Sequence, residues 1–153
     1  MRDANSSSSR KVFDLLLGSW FFVREVSGQA SMAGRATVGL FDEETALYQE
    51  TARVALASGR TLNGQQRYIY RRSPDPVNGF DILIERTQQL FQSLKFSPSG
   101  NGRLTASASH FCQADSYFSE YAWNEEGIFH VQHTVRGPHK NYVARTVYTR
   151  DHE

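Results

Sequence analysis

The stretch Arg103-Leu-Thr-Ala-Ser-Ala-Ser-His-Phe-Cys112 alternates without a break. Leu104, Ala106, Ala108, His110 and Cys112 fall on one side; Thr105, Ser107 and Ser109 fall on the other. Only a strand sends neighbouring side chains to opposite faces, so this segment predicts a β-strand with the first set inside. The same period runs through 127–136, where Phe129, Val131, His133 and Val135 oppose His130, Gln132 and Thr134. His110 and His133 are therefore both predicted to sit on apolar faces.

Working outward, two-residue alternation predicts strands near 19–27, 30–41, 45–54, 60–72, 79–86, 89–97, 103–112, 116–124, 127–136 and 141–150. Turn residues punctuate them, among them Ser73-Pro74-Asp75-Pro76, Asn78-Gly79, Ser99-Gly100-Asn101-Gly102 and Gly137-Pro138. A helix is predicted only over 10–17, capped by Ser9 and ended by Gly18. The polar, Ser-rich residues 1–9 read as a disordered leader before a single domain, 10–153. Ten short strands with tight connections predict an all-β antiparallel up-and-down meander. Closure into a barrel of about nine or ten strands removes its exposed edges.

Composition narrows the function. The chain has 153 residues, one domain's length, and its 17 basic and 16 acidic residues leave a net charge of +1. A nucleic-acid binder needs a basic stripe to displace counterions, so that class is excluded. No apolar run approaches the ~18–20 residues of a membrane span. One cysteine permits no internal disulfide or cysteine-based zinc site. The N-terminal residues lack the apolar core of a signal peptide, and a cytoplasmic location is expected. The sequence leaves oligomeric state open.

Parity also nominates site residues. The set Trp20, Phe22, Arg24 and Val26 places a guanidinium among apolar neighbours, and Ala46, Tyr48, Glu50 and Ala52 does the same for a carboxylate. Arg67 is grouped inward with Ile69; Phe80, Ile82 and Ile84 form another inner face, as do Leu90, Leu94 and Phe96 with Gln92. A buried charge needs a partner or water, so these groups mark either a polar-headed ligand's cavity or a structural Arg24–Glu50 pair with satisfied core histidines. There is no phosphate loop and no nucleophile elbow. His130 and His133 point oppositely in a strand and make a poor metal pair, so no metal is expected. Asp115 is expected at a rim after the Gln113-Ala114 turn, able to cap that turn or orient an imidazole.

Gly18-Ser19-Trp20, just after the helix and opening the first strand, resembles the G-x-W signature of the calycin superfamily, which holds lipocalins and fatty-acid-binding proteins. The resemblance implies a tryptophan closing one barrel end under a basic residue of the last strand, Arg150 or Arg145, as a cation–π lid. A narrower likeness joins Gly18-Ser-Trp20 with Arg24, Tyr48-Gln-Glu50, Arg67-Tyr68, His110-Phe-Cys112-Gln-Ala-Asp115-Ser-Tyr117 and Val135-Arg-Gly-Pro138-His-Lys140-Asn-Tyr142, ending in Thr146-Val-Tyr148-Thr-Arg150. It is similar to the small calycin-like proteins labelled domain of unknown function 6314. Asn141 departs from the acidic residue expected in that family. The resemblance implies a fold and a pocket; it brings no catalytic residue.

The expected function is an intracellular binding protein enclosing a small hydrophobic or amphipathic molecule with a polar or anionic head. Arg24 and Arg67 would meet the head, with Phe22, Tyr48, Glu50, His110, Trp123 and His133 lining the rest. An isomerase- or cyclase-type enzyme with His110 as base, Tyr117 as acid and Asp115 beside them is the alternative. No cofactor is expected, although a haem held by His133 or His110 is a further alternative, and a filled scaffold is the last.

Overall fold

A computed structural model describes residues 10–152; the expected leader and the Ser9 cap lie outside the described residues. One short helix, α1 (Val12–Leu15), precedes eleven strands. They are β1 (Gly18–Val26), β2 (Ala30–Leu40), β3 (Thr45–Leu56), β4 (Thr61–Arg72), β5 (Gly79–Ile84), β6 (Leu90–Lys95), β7 (Ser97–Pro98), β8 (Leu104–Cys112), β9 (Asp115–Trp123), β10 (Phe129–Arg136) and β11 (Asn141–Arg150). The helix is shorter than predicted. The extra strand arises because Ser97–Pro98 separates from the sixth strand and pairs with β8 instead. Among the described residues no helix is long and apolar enough to cross a membrane.

All strands belong to one antiparallel sheet, in the order β6-β5-β4-β3-β2-β1-β11-β10-β9-β8-β7. Pairing β1 with β11, Trp20 opposite Arg150 and Val26 opposite Ala144, curls the meander round upon itself. The barrel is nearly closed. At the remaining seam, β7 pairs with β8 only through Ser97 and Pro98. Beyond that, β6 packs beside β8 with no ladder between them.

The helix end is filled. Val12, Phe13 and Leu16 are buried under the barrel, with Phe13 edge-on to Phe80 at 6.1 Å between centroids. Burying one such side chain contributes about 1.5–3 kcal/mol. Trp20 meets Trp123 edge-on at 6.1 Å. The Trp20 indole donates from Nε1 to the Leu16 carbonyl at 2.8 Å. Arg150 lies over its ring, 3.9 Å from the centroid, and donates to the carbonyls of Leu17 (2.8 Å) and Leu15 (2.7 Å). Arg150 thus takes the lid role implied by the resemblance; Arg145 lies outside and donates to Gln132. Gly18 has φ +123°, and a Cβ there would come within 2.7 Å of the Arg150 guanidinium. The glycine of the G-x-W segment is therefore required by backbone conformation and by the lid.

Parity in β8 and β10 follows the prediction as far as the barrel extends. Three assignments differ. Arg67 is exposed and points outward, while its neighbours Tyr68 and Tyr70 turn in. Cys112 has the inward parity but is exposed, because β8 runs past the rim into its hairpin. A register shift between Ile82 and Leu83 leaves Leu90 half exposed and brings the Phe91 ring inside.

Candidate functional site

Above the packed helix end, β1, β3 and β11 bring Arg24, Glu50, Tyr48, Thr146 and Tyr148 together. Arg24 grips Glu50 with two bonds, Nη1 to Oε2 at 2.8 Å and Nη2 to Oε1 at 3.0 Å. It also donates from Nε to Thr146 Oγ1 at 2.8 Å, with longer contacts to Tyr148 Oη (3.5 Å) and Met32 Sδ (3.8 Å). A guanidinium has five N–H groups, and here all five are engaged. Tyr48 donates to Glu50 Oε1 at 2.5 Å and lies 2.9 Å from Tyr148 Oη. The Arg24 guanidinium sits 4.8 Å from the Phe22 ring centre. Burial alone would lower the Arg24 pKa, but the hydrogen bonds to Glu50 and the charges of Tyr148, Glu50 and Tyr48 together raise it and hold the guanidinium charged; burial, above all, raises the pKa of Tyr48.

A second buried network faces it from β6, β9 and β10. Tyr121 donates to Gln92 Oε1 at 2.6 Å, and Gln92 donates from Nε2 to Ser119 Oγ at 2.7 Å. Ser119 stands 2.6 Å from His133 Nδ1. Having accepted from Gln92, the Ser119 hydroxyl gives its own proton to Nδ1. A donating Nδ1–H would instead leave the proton of the fully buried Ser119 hydroxyl with no acceptor. His133 is thereby the tautomer protonated at Nε2. Burial, and secondarily the Arg24 charge, lower its pKa to about 4, so the ring is neutral at physiological pH. Among the described residues no buried side-chain nitrogen or oxygen lacks a partner, and His133 Nε2 makes no bond within the protein. That N–H is therefore open to the mouth.

The mouth itself is a layer of half-buried rings centred on Phe91. Tyr68 stacks on it at 6.0 Å, His110 tilts against it at 5.1 Å, Tyr117 stands edge-on at 6.0 Å and His133 edge-on at 6.4 Å. At the rim, Lys140 donates to Tyr117 Oη at 3.1 Å and pairs with Asp115 Oδ2 at 3.4 Å. Gly137 lets this happen: a Cβ there would collide with the Asp115 carboxylate. The segments His110–Tyr117 and Val135–Tyr142 thus meet at one rim. The departing residue Asn141 accepts from Arg136 Nη1 at 2.7 Å.

The structure redistributes the sequence-predicted residues. Arg24, Glu50 and Tyr48 come together, as the structural pair with its tyrosine. Phe22 lies beneath them. Trp123 is buried at the helix end beside Trp20, away from the mouth. His110 and His133 reach the mouth, with Tyr117 6.2 Å from His110 between ring centres. Asp115 orients no imidazole; it belongs to Lys140. Arg67 is outside, and Arg24 has no free donor, so neither guanidinium is placed to receive an anionic head. Among the described residues no three His, Cys, Asp or Glu side chains cluster as a metal site. As site residues, Phe91, Ser119, Tyr121, Thr146 and Tyr148 escape the sequence reading, although Thr146 and Tyr148 stand in the segment that carries the family likeness; a lone Gln92 on an apolar face was the available signal for the second network.

Two surface grooves lie elsewhere. One, about 710 Å³, runs along the outer faces of β8–β11 past Arg103, Glu120, His130 and Arg145. The other, about 450 Å³, flanks the helix end beside Trp123 and Arg150. Both are lined largely by solvated side chains on the outside of the barrel, whereas the mouth joins half-buried rings to the His133 donor.

The chain belongs to the family of unknown function DUF6314, which it matches over residues 16–150. No curated protein matches it. Among solved structures it is similar to the S-type phycobiliprotein lyase CPES of Guillardia theta, at 10% identity and a TM-score of 0.62 over 97% of each chain. It is also similar to the redesigned β-barrel mFAP1 bound to DFHBI, at 10% identity and a TM-score of 0.41, over 92% of this chain and 100% of that one. The first likeness shows a shared barrel fold.

Proposed function

We propose that this DUF6314 member is a binding protein that takes a small hydrophobic or amphipathic molecule at the barrel mouth opposite α1. One observation carries the reading: five rings, Tyr68, Phe91, His110, Tyr117 and His133, remain half-buried in a layer that faces outward from the barrel interior. A barrel selected only for stability buries such rings, as this chain does at its helix end. A concave apolar lining with a few placed polar groups is the ordinary make-up of a ligand site. The shared fold with a phycobiliprotein lyase agrees with a barrel that handles a small molecule.

The catalytic alternative is less well supported, because Asp115 is engaged by Lys140 and leaves His110 without an orienting carboxylate. The reading is tested by native mass spectrometry of the purified protein, followed by extraction and identification of any co-purified organic mass. Phe91→Ala should lose that mass. Retention of the mass by Phe91→Ala together with Tyr68→Ala would place the ligand elsewhere.

A further inference from the structure

The charges of the barrel interior are already spent. Arg24 uses all five N–H groups within the protein, and Glu50, buried beside it, receives two of them. An incoming carboxylate would have to separate that pair and leave Glu50 buried with its charge unmatched, which is strongly unfavourable. At the rim, Lys140 is held by Asp115 and by Tyr117.

Neutral hydrogen-bond donors, by contrast, are left over. The relay from Tyr121 through Gln92 and Ser119 fixes the proton of His133 on Nε2, where nothing among the described residues accepts it. Tyr117 accepts from Lys140, so its own O–H is directed elsewhere. The half-buried Tyr68 phenol has no hydrogen-bond partner among the described residues. All three groups touch or neighbour the Phe91 ring.

We infer, on the basis of the mouth reading above, that the ligand is an uncharged, flat, conjugated molecule with carbonyl-type acceptors. One acceptor meets His133 Nε2–H, and the molecule's face lies against the ring layer around Phe91. The neutral state of His133 serves this: a charged imidazolium beside Arg24 would be opposed by burial and by the guanidinium.

The test uses two fluorescent probes on the full chain: Nile red, an uncharged planar dye with a ring carbonyl, and cis-parinaric acid, a polyene carboxylate. Nile red is expected to bind saturably, at least about tenfold tighter than cis-parinarate. His133→Phe, which keeps a ring and removes the donor, should weaken Nile red about tenfold. Long-range nitrogen–proton spectra of the unaltered protein should show His133 protonated at Nε2, a measurement that needs no variant to fold. Equal or tighter binding of cis-parinarate, unchanged Nile red affinity in His133→Phe, or an Nδ1-protonated His133 would each overturn the proposal while leaving the mouth reading intact. Nile red affinity unmoved by both Phe91→Ala and Tyr68→Ala would overturn the mouth reading itself, and this proposal with it.

Discussion

Gln92 on β6 reaches past β8 to donate to Ser119 on β9, 2.7 Å away, and so spans the seam that no backbone ladder closes. The crossing requires a small side chain on the intervening strand, and the inner face of β8 supplies Ala106 and Ala108. Closure of the barrel at this point therefore joins one buried amide, which also accepts from Tyr121, to the ring contacts of Phe91 with His110 and Tyr117.

Replacing Gln92 by Leu keeps volume, leaves the buried Tyr121 hydroxyl without its acceptor and takes from Ser119 the N–H that it accepts. The expected cost is about 2–3 kcal/mol, since each orphaned buried polar group costs roughly 1–3 kcal/mol. Urea unfolding should show a lower midpoint with unchanged slope. Amide exchange should accelerate in β6 and upper β8 more than in β1–β3. Adding Tyr121→Phe should return part of the loss, because one orphan then disappears.

The Arg24–Glu50 pair is expected to behave as a unit. Arg24→Met strands a buried carboxylate and Glu50→Gln removes the guanidinium's counter-charge, each at about 3–5 kcal/mol. The double variant Arg24→Met with Glu50→Met should lose less than the sum of the single losses, as coupled neighbours do. Strict additivity in denaturant titrations would show that the two side chains are independent.

Stability should also depend on pH through His133. Its pKa in the folded chain, about 4, lies below the ordinary 6.5. Between those values the unfolded chain binds more protons, so unfolding free energy rises with pH. The contribution is complete above pH ~6.5 and is lost as pH falls toward 4. It amounts to about 3 kcal/mol over the whole window. The difference in unfolding midpoint between pH 7 and pH 5 should be smaller in His133→Gln than in the parent chain. An equal difference in both would show that His133 does not titrate this way.

These networks were only partly legible in the sequence, for reasons that differ by residue. In 103–112 and 127–136 one face is consistently apolar, so parity was decided and His110 and His133 were placed correctly on the inner faces. In 60–72 both faces are mixed. Ile69 is buried there on the outside, packed in the sheet register between Leu47 and Leu83, so an apolar neighbour drew Arg67 to the wrong side. Phe91 was lost to the register shift at Ile82/Leu83, which alternation has no means to signal. Arg24 and Glu50 were legible as a possible pair, but not the saturation of Arg24, which depends on Thr146 and Tyr148 more than a hundred residues away in the chain.

At the closed end, Arg150→Ala removes a cation over Trp20 and two bonds to the carbonyls of Leu15 and Leu17. The expected loss is about 2–3 kcal/mol, from a ring contact of roughly 0.5–2 and hydrogen bonds of roughly 0.5–1.5 each. Trp20 emission should shift to the red as its ring gains water. Gly18→Ala should produce a similar, smaller change by forcing a side chain into a positive-φ position beside the guanidinium. An unchanged emission spectrum in both variants would mean that the lid does not shield the indole.

Arg24 lies two residues before the end of β1 at Val26, so at ~3.3 Å per residue its ion pair stands within ~7 Å of that strand end. On the mouth reading proposed above, a guest bound over so shallow a floor would be gripped at one end and leave the remainder projecting into solvent. A second macromolecule can then seize the projecting part and lift the guest away directly, with no tunnel to traverse and no unfolding of the vessel.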